Sequence, residues 1–195
     1  MFELMKQYLQ KNVPGLTTEE ISLVFSKAVF KKLRKRQLLL HEGEICRYKL
    51  FVLKGLLRNY SMHNDGTEYV MKFTAENGWT TDPDSYNEQV PSKYNIEAIE
   101  PCEILMWTKE DFDGLKSAIP LLASFSERII TQNMSLVQNR ILPNISAGAE
   151  ERYLDFIETF PHIFHRVPLH MIASYLGVSR ETLTRVRQGL AIAAK

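Results

Sequence analysis

The chain has 195 residues, 45% of them apolar and 24% charged, with a net charge of +1. That is ordinary composition for one large or two small folded domains, and it excludes a disordered chain or a uniform polycation. No window approaches about eighteen uninterrupted apolar residues, and MFELMKQYLQ lacks the apolar core and cleavage signature of a signal peptide. Cys46 and Cys102 are too few and too far apart in sequence for a disulfide framework or an all-cysteine metal site. They read as free thiols in a reducing cytoplasm.

Charge is unevenly distributed. Lys27 to Arg36 holds six basic residues and no acid, and Ser61 to Ser117 holds twelve acids against four bases. His162 to Lys195 holds five Lys or Arg against one Glu, which places a nucleic-acid-facing surface at the C-terminal end.

In chain order, Met1–Leu9 reads as a short amphipathic helix stopped by Pro14 and Gly15. Thr17 with Glu20 fits a capping box, which predicts a helix over Thr18–Phe30. The basic run KKLRKR then reads as a solvated helix end and strand start. From Gln37 the apolar period shortens. QLLLHEGEI, YKLFVLKGLLRNYSM and TEYVMKF, divided by turns such as HNDG, predict antiparallel strands with a hairpin at Asp65–Gly66. TTDPDSYNEQVPS reads as a polar, helix-poor stretch. Strands at Tyr94–Ile99 and Glu103–Trp107 follow, and the set predicts a small antiparallel barrel or jelly roll.

Leu115–Leu142 predicts a long helix, with Pro120 acceptable only in its first turn. It carries one stripe of Ile119, Leu122, Phe125, Ile129 and Leu136, and a second of Ile130, Met134, Val137 and Ile141. That is too much apolar surface to bury on one small roll, so a twin copy is expected against one stripe. Pro143–Gly148 reads as a hinge, and Ala149–Phe160 as a helix stopped by Pro161. His162, His165 and His170 have no nearby cysteine or acid and read as ordinary loop histidines, with no metal site.

Leu169–Leu190, LHMIASYLGVSRETLTRVRQGL, contains two short amphipathic helices joined by a tight turn. Gly177 suits a left-handed C-cap and Ser179 an N-cap. Ile172, Ala173, Leu176, Leu183, Val186 and Leu190 form the apolar faces. Arg180, Glu181, Thr184, Arg185 and Arg187 fall outside. An arginine fork can bond guanine O6 and N7, and a carboxylate can accept from cytosine N4, so a helix-turn-helix with groove-reading side chains is predicted.

The run IASYLGVSRETLTRVRQ resembles the DNA-binding signature of the cyclic-AMP receptor protein family of bacterial transcription regulators. HEGE, VLKG and NDG, with Gly43, Gly55 and Gly66, resemble the turns of that family's roll, and IEAIEPCEILMWTKEDF its last strands and exit helix. The resemblance implies an α+β chain: a roll sensor domain over 1–117, a dimerisation helix over 118–142 and a winged helix-turn-helix over 143–195, with HIFHRVP as part of the wing. It implies that Ser179, Arg180, Glu181 and Arg185 face DNA. Arg180 and Arg185 would read guanines and Glu181 a cytosine. Ser179 and Thr182 would hold phosphates, with Arg187 as helper. Dimer contacts are expected from Leu122, Phe125, Ile129 and Leu136. The implied partners are double-stranded DNA, a second copy and RNA polymerase, with no membrane, in the cytoplasm.

The family's nucleotide-binding members carry a Gly-Glu pair for the ribose and an Arg-Ser or Arg-Thr pair for the phosphate. Here Trp79–Thr80 and Ser92–Lys93 stand at those places, so control by cyclic AMP is not expected. No cysteine precedes Cys46, which removes the iron–sulfur sensor pattern. Met71, Phe73, Trp79, Tyr86, Lys93 and Tyr94 are the candidate lining of a pocket for an unidentified small-molecule effector, or else packed roll interior; no cofactor is expected. No catalytic motif occurs, and an enzyme is not expected. The rival reading is a small-molecule-binding or protein-interaction module without specific DNA recognition. Salt-sensitive binding to duplex DNA separates the two.

Overall fold

The structure is a computed structural model and describes residues 1–193. In chain order it contains α1 (Phe2–Asn12), α2 (Thr18–Ser26), β1 (Val29–Leu33), β2 (Leu38–Leu40), β3 (Tyr48–Lys54), β4 (Leu57–Met62), β5 (Glu68–Thr74) and β6 (Trp79–Thr80). These are followed by α3 (Pro83–Glu88), β7 (Asn95–Ala98), β8 (Cys102–Thr108), α4 (Lys109–Ala118), α5 (Pro120–Ser146), α6 (Ala149–Thr159), α7 (Leu169–Leu176) and α8 (Arg180–Ala193). By contacts the chain divides into two compact units: Met1–Asn59 with Phe73–Gln132, and Tyr60–Lys72 with Asn133–Lys195. None of the described helices is long and apolar enough to cross a membrane.

The strands form two four-stranded antiparallel sheets, ordered β1-β8-β3-β6 and β2-β7-β4-β5. This is the antiparallel roll expected from the short apolar segments. In the first unit β3 and β8 are buried on both faces, which explains their nearly continuous apolar runs. Leu50, Val52, Ile104 and Met106 face inward, against Leu40, Leu57, Ile96 and Ala98 of the second sheet. The alternate residues Phe51, Leu53, Leu105 and Trp107 pack on α1, α2, α4 and the start of α5. The Trp107 indole donates to the Val24 carbonyl at 2.8 Å, which satisfies its only polar atom inside this cluster. Arg58 and Glu97 form a buried ion pair at 2.6 Å between β4 and β7. The hairpin turn lies where HNDG placed it, with Gly66 at a φ of 84°.

Four local expectations are corrected. The capping box of Thr17 and Glu20 is present, but α2 ends at Ser26 and the chain enters β1 at Val29. β8 supplies a ladder for Val29–Leu33, and that pairing outweighs local helical periodicity. The polar stretch after Thr80 contains α3, capped by Asp82 with Pro83 in its first turn. The long helix does not start at Leu115. The chain breaks at Ile119, extended at φ −128° and ψ 91°, because Pro120 disfavours the helical conformation of the residue before it. At its far end α5 runs through Pro143 to Ser146, so the connection to α6 is confined to Ala147 and Gly148.

In the second unit, Tyr153 and Phe156 of α6, Ile163, Val167, Ile172, Ala173 and Leu176 of α7, and Leu183 of α8 are buried. HIFHRVP folds as consecutive turns, with Arg166 N–H donating to the Ile163 carbonyl at 2.8 Å, and supplies no strand.

Candidate nucleic-acid interface

The helix-turn-helix is built as its residue types require. Gly177 closes α7 in the left-handed region, at φ 66° and ψ 35°, where a Cβ would be strained. The Val178 N–H reaches back to the Ala173 carbonyl at 3.0 Å. The Ser179 hydroxyl accepts from the Thr182 N–H at 3.1 Å and caps the first turn of α8, a contact worth about 1 kcal/mol. Arg152 of α6 adds a support that periodicity does not reveal: its Nη1 donates to the Leu176 carbonyl, at the end of α7, at 2.7 Å. Ser174 is a second one. Its hydroxyl donates to the Glu68 carbonyl at 2.6 Å and accepts from the Val70 N–H at 2.9 Å.

Leu183 is the fully buried anchor of α8, while Ser179, Arg180, Glu181, Arg185 and Arg187 are exposed and Thr182 is half-buried. Six candidate residues therefore share the outward side of one helix and the turn that starts it. The Thr182 hydroxyl accepts from the Ser179 hydroxyl at 3.1 Å and from Arg185 Nη2 at 3.4 Å, which ties cap and arginine together. The Glu181 carboxyl is held below the ordinary carboxylate range, first by its own backbone N–H and then by Ser179 and Arg180, so it is ionised at neutral pH. Among the described residues none of Arg180, Arg185 and Arg187 makes an ion pair, so their charge is available to an anionic partner.

The candidate effector residues do not converge. Trp79 faces the helix-covered side of the first sheet, donates to the Tyr8 hydroxyl at 3.0 Å and packs on Phe51, Trp107, Phe112 and Phe125. Tyr86 lies in the other cluster, between the sheets. Phe73 is buried, Tyr94 half-buried, and Met71 and Lys93 are exposed. Trp79 of β6 and Tyr86 of α3 therefore belong to two cores rather than one pocket.

At the places corresponding to the phosphate clamp, Ser92 is buried and donates to Asp82 Oδ2 at 2.6 Å. Asp82 is itself buried and accepts from the Ser85 N–H at 3.4 Å, capping α3. An internal carboxylate thus takes the α3 N-terminus and the Ser92 hydroxyl, and Lys93 points to solvent. The reading of this stretch as helix-poor leaves out the Asp82 cap. The signal was there, since Asp-Pro followed two residues later by Ser is an N-terminal helix pattern.

The dimerisation set also divides. Leu122 and Phe125 are buried in the first unit's own core and Ile129 packs against it; of the four only Leu136 is exposed. The exposed apolar face of α5 is instead Ile130, Met134, Val137, Ile141 and Ile145, with Leu142 at its edge.

Comparisons with known proteins agree with this architecture. Residues 30–118 match the family model described as the cyclic nucleotide-binding domain. FixK2 from Bradyrhizobium japonicum superposes with a TM-score of 0.76 at 17% identity, over 86% of this chain and 86% of that one. CLP from Xanthomonas campestris, described as a c-di-GMP-responsive global regulator, gives 0.76 at 13% identity over 91% and 93%. A protein from Eubacterium rectale assigned to the crp/fnr family of transcriptional regulators gives 0.72 at 18% identity over 96% and 88%. No curated protein matches the chain. Residues 30–118 are thus similar to the cyclic nucleotide-binding domain, and the chain shares its fold with these solved structures.

Proposed function

We propose that this protein is a sequence-specific DNA-binding transcription regulator, not an enzyme, that acts as a homodimer on a pseudo-palindromic operator. The observation that carries the reading is the outward side of α8, where Arg180, Glu181, Arg185 and Arg187 stand exposed on a helix whose cap and buried anchor are in place. Arg180 and Arg185 read guanines, Glu181 reads a cytosine, Ser179 and Thr182 hold phosphates, and Arg187 assists. The exposed apolar face of α5 supports the dimer, with residues 1–117 as sensor, 118–142 as dimerisation helix and 143–195 as reader. Two-fold symmetry then sets half-site centres about 34 Å apart. RNA polymerase is the further partner this reading implies.

Control by cyclic AMP is not part of the proposal. A cyclic phosphodiester needs a donor fork, and the Asp82 carboxylate already accepts from both Ser92 and the start of α3. A second anion there meets like charge.

The test is a footprint combined with affinities for a panel of single-base operator variants. Arg180→Ala should cost about 1–3 kcal/mol at its own base pair and relax preference there, while Arg187→Ala should weaken all sequences alike. Equal loss for every variant with Arg180→Ala overturns the base assignment. A monomer protecting one asymmetric half-site overturns the dimer, and salt-insensitive binding overturns the DNA reading. Calorimetry with cyclic AMP, cyclic GMP and c-di-GMP, with and without operator, tests the sensor. Cyclic AMP binding that also tightens the DNA complex would refute its exclusion.

A further inference from the structure

β3 brings Lys49 to the helix-covered face of the first sheet, opposite Trp107 of β8. Its ammonium lies 5.4 Å from the ring centroid of Phe112 in α4. The residue is only 9% exposed, and among the described residues no acceptor lies within hydrogen-bond distance of its Nζ. The Nζ is not one of the enclosed polar atoms, so what remains exposed includes the tip. Lys49 therefore has a buried stem, an amine open to solvent and no carboxylate partner among the described residues.

Positive charge is in excess beside this amine. Lys109 and Lys116 of α4 both pair with Asp113, each at 2.8 Å. Lys116 Nζ is also 6.0 Å from the Phe112 centroid, at the same ring that Lys49 touches. One carboxylate thus serves two lysines, and Lys49 is a third cation without one. Desolvation, then repulsion from Lys116, outweighs attraction to Asp113 and brings the Lys49 pKa down to about 8. Near pH 7.5 about a quarter of such an amine is unprotonated, against on the order of one in a thousand for an ordinary lysine.

We propose that Lys49 is a carbamylation site for dissolved carbon dioxide, its carbamate held by the excess positive charge of Lys109 and Lys116. The unprotonated Nζ attacks the carbon of CO2. The N–C bond forms as one C–O π bond becomes a carboxylate lone pair, and the amine proton passes to solvent. No oxidant or further reactant is needed. A cation repelled by Lys116 becomes an anion attracted to it, so Lys109 and Lys116 then face two anions in place of one. The reactant is small, uncharged and apolar, which suits an amine with little exposure beside an aromatic ring. The site lies in the first unit and does not depend on DNA recognition.

The probe is carbon-13-labelled bicarbonate in equilibrium with CO2, added to the full chain in a sealed cell near pH 7.5. Carbamates are trapped with triethyloxonium and located by peptide mass spectrometry. The expected result is an ethoxycarbonyl group on Lys49 at about tenfold or more the occupancy of Lys109 or Lys116. The α-amino group of Met1 also forms a carbamate and serves as the internal control for trapping. Lys49→Met should remove one carbamate carbon resonance and leave that of Met1. Lys116→Met removes the neighbouring cation without touching Lys49 and should lower occupancy there about threefold. No adduct on Lys49 of the folded wild-type chain overturns the proposal. So does equal occupancy on Lys109 and Lys116, or unchanged Lys49 occupancy in a folded Lys116→Met protein.

Discussion

The beginning and the end of α5 carry the same kind of apolar residue at the same helical spacing. Leu122 and Phe125 are 1% and 4% exposed, whereas Ile141, Leu142 and Ile145 are 53%, 69% and 79% exposed. The first turns meet α1, α2, α4 and the outer face of a sheet, and their stripe completes the chain's own core. Farther along it is the second stripe that is exposed, with no such cover within the described residues. Periodicity reports that a face wants burial and does not report against what.

The largest expected effect breaks the closed end. Phe125→Ala should destabilise the fold by about 3–5 kcal/mol in urea unfolding, independent of protein concentration, because it removes a ring that packs on Tyr8 and Trp79. An effect that vanishes on dilution would instead place Phe125 at a dimer contact. Ile141→Asp acts on the open end. It should leave urea unfolding at low protein concentration within about 0.5 kcal/mol and weaken self-association by about 2 kcal/mol or more in sedimentation equilibrium. An unchanged dimer after this substitution removes this face as the seam.

A smaller effect sharpens the contrast from inside the closed unit. Lys49 of β3 is nearly buried, and desolvation, with Lys116 adding repulsion against a weaker pull from Asp113, brings its pKa down from 10.5 to about 8. Below about pH 8 the ammonium is charged in both folded and unfolded chains, and the folded state bears the full cost; above 10.5 neither is charged. The folded chain therefore binds fewer protons between those values, and stability should rise with pH across that window. Lys49→Met should raise stability at pH 7 by about 1 kcal/mol and remove its share of the rise. If wild type and variant keep a constant stability difference from pH 7 to pH 11, Lys49 does not titrate this way.

The helix-turn-helix was legible residue by residue because its determinants are local. Gly177 tolerates a left-handed φ, Ser179 caps the next turn, and Leu183 returns to the core four residues later. The roll was legible for the same reason, since strand alternation and the Asp65–Gly66 turn act over a few residues. Local signals failed where a distant partner decided the outcome. Val29 and Phe30 continue a helical pattern, yet β8, more than seventy residues away, draws them into a ladder. Trp79 and Tyr86 look like one aromatic set, and the sheet between them sends each to a different core.

The sequence by itself determined the roll, the long helix and α8 with its exposed arginines, because each rests on periodicity, turn chemistry and caps that span about one helical turn or one hairpin. Only the tertiary structure decided which apolar stripe of α5 is used up within the chain. The same holds for the Asp82 carboxylate against Ser92 and for the Arg152 guanidinium against the Leu176 carbonyl. Burial and hydrogen-bond satisfaction belong to pairs of groups brought together by folding, and no single stretch of chain contains both members.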